Sequence, residues 1–285
     1  MAEEQDPHDY DVYAPTRARD QKFVQSESVQ GIVRLNLNRP PANVLSIEVM
    51  EELNAVLEGL EYQRDVKLVV LTATGQYFSA GFEIGDHLGD RGYLMLENFR
   101  RLFENQFKLD KPTLAVVRGA ALGAGSMLAA GCDIVLAGAS AKFGHPEIKA
   151  GVFNTVATVL LPRLIGRRKA FELLLSGGSL SAAEAEKAGL VTRVVPDDKL
   201  DAEAAALIQR FQEGSPAILQ MARRAMLGAV DLPFDEAMRH VEDVYLNQLM
   251  ATDDAAEGLK AVLERRRPNW KGREPAGRPR LRFSC

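Results

Sequence analysis

Leu114-Ala115-Val116-Val117-Arg118-Gly119-Ala120-Ala121-Leu122-Gly123-Ala124-Gly125-Ser126-Met127-Leu128-Ala129-Ala130 is the stretch on which the fold turns. Its first four residues read as a buried strand. The glycines and alanines from 119 to 125 read as a turn that lets another molecule lie against the backbone. Ser126 to Ala130 reads as a short apolar helix. A second apolar run, Asp133 to Leu136, and the segment Phe143-Gly144-His145-Pro146-Glu147-Ile148 follow. Glu147 is the one carboxylate at the far end of this cradle, and what a lone acid beside a small-residue turn can catalyse is the question the sequence poses.

Upstream, Val29 to Asn38 alternates apolar and polar residues after a glycine turn and reads as a strand. Arg39-Pro40-Pro41-Ala42-Asn43 breaks it. Ser46 is a suitable N-cap for an amphipathic helix through Leu60, and Lys67 to Ala73 is a continuous apolar run expected of a buried parallel strand. Strand, helix, strand makes a βαβ unit. Tyr77 to Glu83 follows its end directly, where ligand sites gather in such sheets. Gly85 to Gly92 reads as a mobile polar loop, and a helix is predicted over Leu94 to Phe107.

Downstream, helices are predicted from about Thr155 to Leu164 and from Arg167 to Leu175. Ser181-Ala182-Ala183-Glu184 is a capping box for a short helix stopped by Gly189, and Leu190 to Val195 reads as a strand. From Leu200 onward the pattern is helical throughout: Leu200–Gln212, Pro216–Leu227, Phe234–Met250 and Asp253–Arg265. The expected organisation is a loose tail over residues 1–20, an α/β core over 21–199 and a helical region over 200–285.

The 285 residues carry a net charge of −4 with 46% hydrophobic residues, which is ordinary for an α/β protein and argues against nucleic acid as a partner. Arg265-Arg266-Arg267 reads as a solvated helix end. The two cysteines, Cys132 and Cys285, make no disulfide framework and point to a reducing, cytoplasmic setting. The acidic N-terminus lacks the apolar core of a signal peptide. Arg118, Asp133 and the glycines make the apolar run 114–139 a buried core rather than a membrane span. Histidines 8, 87, 145 and 240 are too scattered for a ligand set, and no phosphate-binding glycine motif occurs, so no metal or cofactor is expected.

Two loops, Ser79-Ala80-Gly81-Phe82 and Gly123-Ala124-Gly125, follow strand ends and can each direct a backbone N–H into one cavity. Two such donors stabilise negative charge on a carbonyl oxygen, and a helix starting at Gly125 or Ser126 adds its dipole. A partly desolvated Glu147 can move a proton on or off the adjacent carbon. The plainer alternative is that the glycines are turns and Glu147 a surface acid.

The motifs FSAG before an acidic stretch, RGAALGAGSMLAAGCDIVLA, AKFGHPEIKAGVF and LSAAEAEKAGLVTRVV resemble, in order and spacing, the enoyl-CoA hydratase/isomerase (crotonase) family, over about Val29 to Trp270. The resemblance implies a core of ββα superhelical turns, a helical C-terminal part that drives trimers or hexamers, and a bent acyl-CoA thioester as substrate, coenzyme A being part of that substrate. It assigns the oxyanion hole to the N–H groups of Phe82 and Ala124 and the family's second catalytic glutamate to Glu147. Ala42 and Ala80 to Ile84, with Gly81 among them, would lie along the CoA, and Gly123 and Met127 beside the acyl group.

The departures are informative. Met127 stands where the usual hydratase carries another glutamate, and a thioether does not activate water. Phe82 replaces a small residue. The long apolar segment after Glu147 and the C-terminal VYLNQLMATDDAAEGLKAVLERRRPNW resemble the subgroup that hydrates cyclohexa-1,5-diene-1-carbonyl-CoA in aromatic degradation. Three functions follow: a hydratase with Glu147 as acid/base and His145, Asn154, His87 or Asp86 as auxiliary candidates; a Δ3,Δ2-enoyl-CoA isomerase shuttling a proton on Glu147 alone; and a non-catalytic acyl-CoA binder. For the four auxiliaries the plainer readings are a packing histidine, a helix cap and two solvated loop residues.

Overall fold

The structure, a computed structural model, describes residues 22–272; the tail expected over 1–20, and Cys285, lie outside the described residues. The chain opens with a hairpin, β1 (Val24–Val29) and β2 (Ile32–Leu37), turning at Gln30 and Gly31, both at positive φ. The predicted first strand is thus β2 alone. β1 escapes a hydrophobic pattern because five of its six residues are exposed. Helix α1 (Ile47–Glu61) follows, its Ser46 hydroxyl accepting from the Val49 N–H. Then come β3 (Leu68–Ala73), β4 (Tyr77–Ser79), α2 (Arg91–Lys108), β5 (Thr113–Val117), β6 (Ala120–Leu122) and α3 (Ala124–Ala130). β7 (Ile134–Gly138), β8 (Lys142–Gly144), α4 (Thr155–Leu164), α5 (Arg167–Ser176), β9 (Ser179–Ser181), α6 (Ala182–Ala188) and β10 (Arg193–Val195) complete the α/β part.

Two sheets result. One runs β1-β2-β3-β5-β7-β10 and is parallel from β2 onward; the other runs β4-β6-β8-β9 and is parallel except for β9. Each turn of chain, β3β4α2 and then β5β6α3, gives one strand to each sheet and then a helix, so the core is a ββα superhelix. The strands of the large sheet alternate between two cores. Leu68, Val70, Leu114 and Val116 face α7 (Leu200–Gln212) at Leu200, Ala204 and Ile208. Val69, Leu71, Ala115 and Val117 face the main core with α1, α2 and α3. Covering both faces is why these strands read as unbroken apolar runs.

Helices α8 (Pro216–Ala229), α9 (Phe234–Asp243) and α10 (Asp253–Leu263) close the chain. Arg223 on α8 ties them to the core, bonding Asp133 Oδ2 at 2.7 Å and the carbonyls of Leu109 and Gln106. The predicted single helix Phe234–Met250 breaks after Asp243 into a π-helical segment, Val244–Gln248, and a 3-10 turn, Leu249–Ala251. The predicted strand Leu190–Val195 shortens to β10. The loop predicted over 85–92 is ordered backbone: a 3-10 turn at Ile84–His87 runs almost directly into α2, which starts at Arg91. Among the described residues no helix is long and apolar enough to cross a membrane.

Candidate functional site

Three loops meet where β4, β6 and β8 end. The first carries Ala80, Gly81 and Phe82. Its neighbours hold it by backbone pairing to the loop after β2: the Ala80 N–H donates to Ala42 O, the Leu45 N–H to Gly81 O and the Glu83 N–H to Leu45 O. The Gly81 N–H donates to Ser79 Oγ at 3.2 Å. Phe82 is left as the residue of this run whose N–H has no acceptor among the described residues.

Asn43 holds the supporting loop in place, and sequence reasoning passed over it. It is buried at positive φ, accepts from the Arg39 N–H, and donates to Thr74 O and Tyr77 O at 2.8 Å each. The legible signal was an Asn after Pro-Pro-Ala, since Asn tolerates the left-handed conformation and bonds its local backbone.

The second loop is the entry to α3. Gly123 takes φ +53°, and its N–H donates to Gly144 O at 2.7 Å. The helix begins at Ala124, earlier than the sequence suggested, so Ala124 N–H is the first of the helix donors that have no intrahelical acceptor. The two loops touch. A Cβ built on Gly81, at φ +99°, would sit 3.7 Å from Ala124 N and 3.0 Å from Leu122 O. One built on Gly125 would sit 2.5 Å from Ser79 Cβ. Glycine at both positions lets the loop that carries Phe82 and the start of α3 lie this close.

The third loop brings the carboxylate. Glu147, in the 3-10 turn Pro146–Ala150, packs against Gly123 so closely that a Cβ there would lie 2.6 Å from its Oε1. Oε1 accepts from Asn154 Nδ2 at 3.0 Å, while Asn154 Oδ1 accepts from the Ala157 N–H and caps α4. Asn154 is therefore both a cap and a partner of Glu147. Burial acts most strongly on the Glu147 carboxyl and pushes it up, but His145, the Glu147 backbone N–H and Asn154 together outweigh it and hold the group below its ordinary range. Oε2 is buried with no hydrogen-bond partner.

The other candidates fall as follows. His145 is a core histidine in position, 1% exposed, with Nδ1 3.8 Å from Glu147 Oε2. Asp86 is not a solvated loop residue: it is buried, accepts from the Ile47 N–H at the start of α1 and pairs with Arg91, so its carboxylate is engaged in holding the loop. His87 is half-buried and packs edge-on against the Phe82 ring at 5.4 Å. Phe82 in turn packs on Phe99 of α2 at 4.6 Å, so its bulk joins the core. Met127 is fully buried in the main core, Ala42 and Ala80 are half-buried, and Ile84 is 66% exposed. Away from these loops, α2 and α4 frame an open groove of about 680 Å³ lined by Leu96, Phe103, Phe107, Val156, Val159 and Leu160, with Glu97, Arg100 and Glu104 at its sides.

Two unpaired N–H donors beside a half-buried carboxylate can hold an oxyanion and carry a proton next to it. Comparison with known proteins agrees with that chemistry. The family model described as enoyl-CoA hydratase/isomerase matches residues 27–273. The probable enoyl-CoA hydratase of Rhizobium meliloti is 36% identical over 256 residues, 88% of this chain and 98% of the relative. The cyclohexa-1,5-dienecarbonyl-CoA hydratase of Thauera aromatica is 36% identical over 246 residues, 85% and 93% of the two chains. The crystal structure of an enoyl-CoA hydratase from Bacillus anthracis superposes with a TM-score of 0.83 at 29% identity, covering 88% of this chain and 99% of that one.

Proposed function

The chain belongs to the enoyl-CoA hydratase/isomerase family, and from that premise we propose that it adds water to the double bond of an unsaturated acyl-CoA thioester. The observation that carries the reading is that the Gly81–Phe82 loop lies against Ala124, with no acceptor for the Phe82 N–H among the described residues and with Glu147 packed on Gly123. The thioester oxygen accepts from both donors, and charge that develops on it as an enolate is stabilised there more than in the ground state. Glu147 takes a proton from water as the oxygen bonds to the β-carbon, then returns a proton to the α-carbon.

The likeness to the Thauera aromatica hydratase supports an alicyclic diene among the candidate acyl groups. Ala42, Ala80, Gly81 and Ile84 are proposed to run along the coenzyme A, Gly123 and Met127 beside the acyl part. The proposal requires no metal or redox group. A reducing cytoplasmic setting suits Cys132, whose thiol burial and the neighbouring Asp133 push up to about 12.

Met127 favours a second reading. With an apolar, fully buried residue at that position, Glu147 is the single proton carrier of the constellation, and one carboxylate suffices to move a double bond. Incubation with linear and cyclic enoyl- and dienoyl-CoA esters in H₂¹⁸O separates the two. Gain of one labelled water is expected; a product of unchanged mass with a new retention time, taking up deuterium when the incubation is repeated in D₂O, would make the protein an isomerase. Glu147→Gln lowers kcat by roughly 10²–10⁴-fold in either case, and full turnover in that variant would remove both readings.

A further inference from the structure

Within the site, three buried polar atoms have no hydrogen-bond partner and sit together: His145 Nδ1, His145 Nε2 and Glu147 Oε2. Such atoms are rare in folded proteins because burying them unpaired costs free energy. Nδ1 and Oε2 face each other at 3.8 Å. That is too long for a direct hydrogen bond, yet one oxygen atom can bond to both at an ordinary length of about 2.8 Å. Both side chains are held in place: Glu147 is anchored at Oε1 by Asn154, and the His145 ring is enclosed, 1% exposed, on a backbone pinned to Gly178 O.

We propose that His145 is a catalytic residue that, with Glu147 Oε2, grips the water to be added. The proposal rests on the hydratase reading above. In the step, one water proton passes to Glu147 Oε2 and the water oxygen bonds to the β-carbon. The π pair of the double bond moves into the enolate held by Phe82 and Ala124 N–H, and the Glu147 proton then goes to the α-carbon, restoring the carboxylate. His145 ends the cycle as it began, having held the water by a hydrogen bond. It supplies the second water contact that the apolar side chain of Met127 cannot. An isomerase needs no such contact, so the pair of orphan atoms is itself a reason to place hydration first.

Two reactions isolate this role. Hydration needs a held water; exchange of the α-protons of butyryl-CoA with D₂O needs only the oxyanion donors and Glu147. Wild type, His145→Leu and His145→Gln are compared in both, using for hydration whichever of crotonyl-, hexenoyl- and cyclohexadienecarbonyl-CoA the wild type turns over fastest. His145→Leu is expected to lower kcat for hydration about 100-fold with KM within about threefold, and to lower the ratio of hydration to exchange at least about 30-fold. His145→Gln, which keeps a donor and an acceptor, is expected to recover about tenfold. Unchanged hydration in His145→Leu would overturn the proposal. So would an equal fall in hydration and exchange, which would make His145 a support for Glu147. A wild type that exchanges butyryl-CoA protons but hydrates none of the esters would instead overturn the hydratase reading, and the water-holding role with it.

Discussion

Glu147 shows how opposed forces set the state of one side chain. Burial alone would favour the neutral acid, but His145, the backbone N–H and Asn154 leave the carboxyl below its ordinary value of 4.5. The sign follows directly. A carboxyl lowered by folding stabilises the fold above pH 4.5, and that contribution is lost as pH falls through the lower folded value. The acting carboxylate is likewise present above 4.5. A kcat/KM profile is therefore expected to stay flat from neutrality down to about pH 5; an acid limb centred above that value would show that the Glu147 carboxyl is not held low in the working site. The sequence singled this residue out: an acid after a proline, beyond a small-residue turn. What was not legible is that Asn154 both caps α4 and holds Oε1, since a cap signal says nothing of the second face of an amide.

At the scale of elements, the site depends on how closely β4 and the β6–α3 turn approach. Gly125 is the tightest point, its missing Cβ replaced by the Ser79 side chain and carbonyl at 2.5 to 2.7 Å. Gly125→Ala is expected to push the two loops apart, costing about 1–3 kcal/mol of stability by overpacking. It should also depress kcat more than KM, because the proposed oxyanion donors, the Phe82 and Ala124 N–H groups, would act chiefly on the transition state. Chemical denaturation and steady-state kinetics on the same sample check both. A loss of stability with unchanged kcat would show that the Phe82 and Ala124 donors tolerate displacement. Apolar runs and cap residues revealed α1, β3, β5, α4 and α6 within a residue or two. They failed at β1, whose exposed face carries no pattern, and at 85–92, where glycines and polar residues resembled a loop. There Asp86 is buried against the start of α1, a tertiary contact with no local signal.

For the whole molecule, the C-terminal helices serve two ends. Their inner residues lock onto the core through Arg223, while Val230, Phe234, Leu246, Val262 and Leu263 remain exposed. Exposed apolar side chains on these helices are available for association, and, following the family resemblance, we propose a trimer or a pair of trimers. Light scattering should return three or six times the mass of one chain, and a monomer at micromolar concentration would refute it. The segment after α10 folds back on its own helix: Arg266 pairs with Glu257 through both oxygens, at 2.6 and 2.9 Å, and the Asn269 N–H joins them. The Arg266 guanidinium, then that N–H, hold the Glu257 carboxyl down at about 2. This stabilising effect is complete above 4.5 and fades as pH falls toward 2. Glu257→Gln should therefore be less stable than wild type near neutrality, with most of the difference gone at about pH 2, measured by urea unfolding. An equal deficit at both pH values would show that the carboxylate charge is not the cause.

The sequence by itself determined β2, β3, β5 and β10 and the order of most helices, the continuous apolar strands of a doubly covered sheet, and the glycine turns and acid that mark a candidate site; the second sheet, β4-β6-β8-β9, it did not show. These are local or periodic properties, written into neighbouring residues. Only the tertiary structure decided which donors stay unpaired, that Phe82 packs on Phe99 and Met127 sinks into the core, that Asp86 is engaged, and that His145 and Glu147 meet with atoms to spare. Those outcomes depend on separate turns of the superhelix coming within a few ångströms of each other, and no spacing along the chain encodes such a distance.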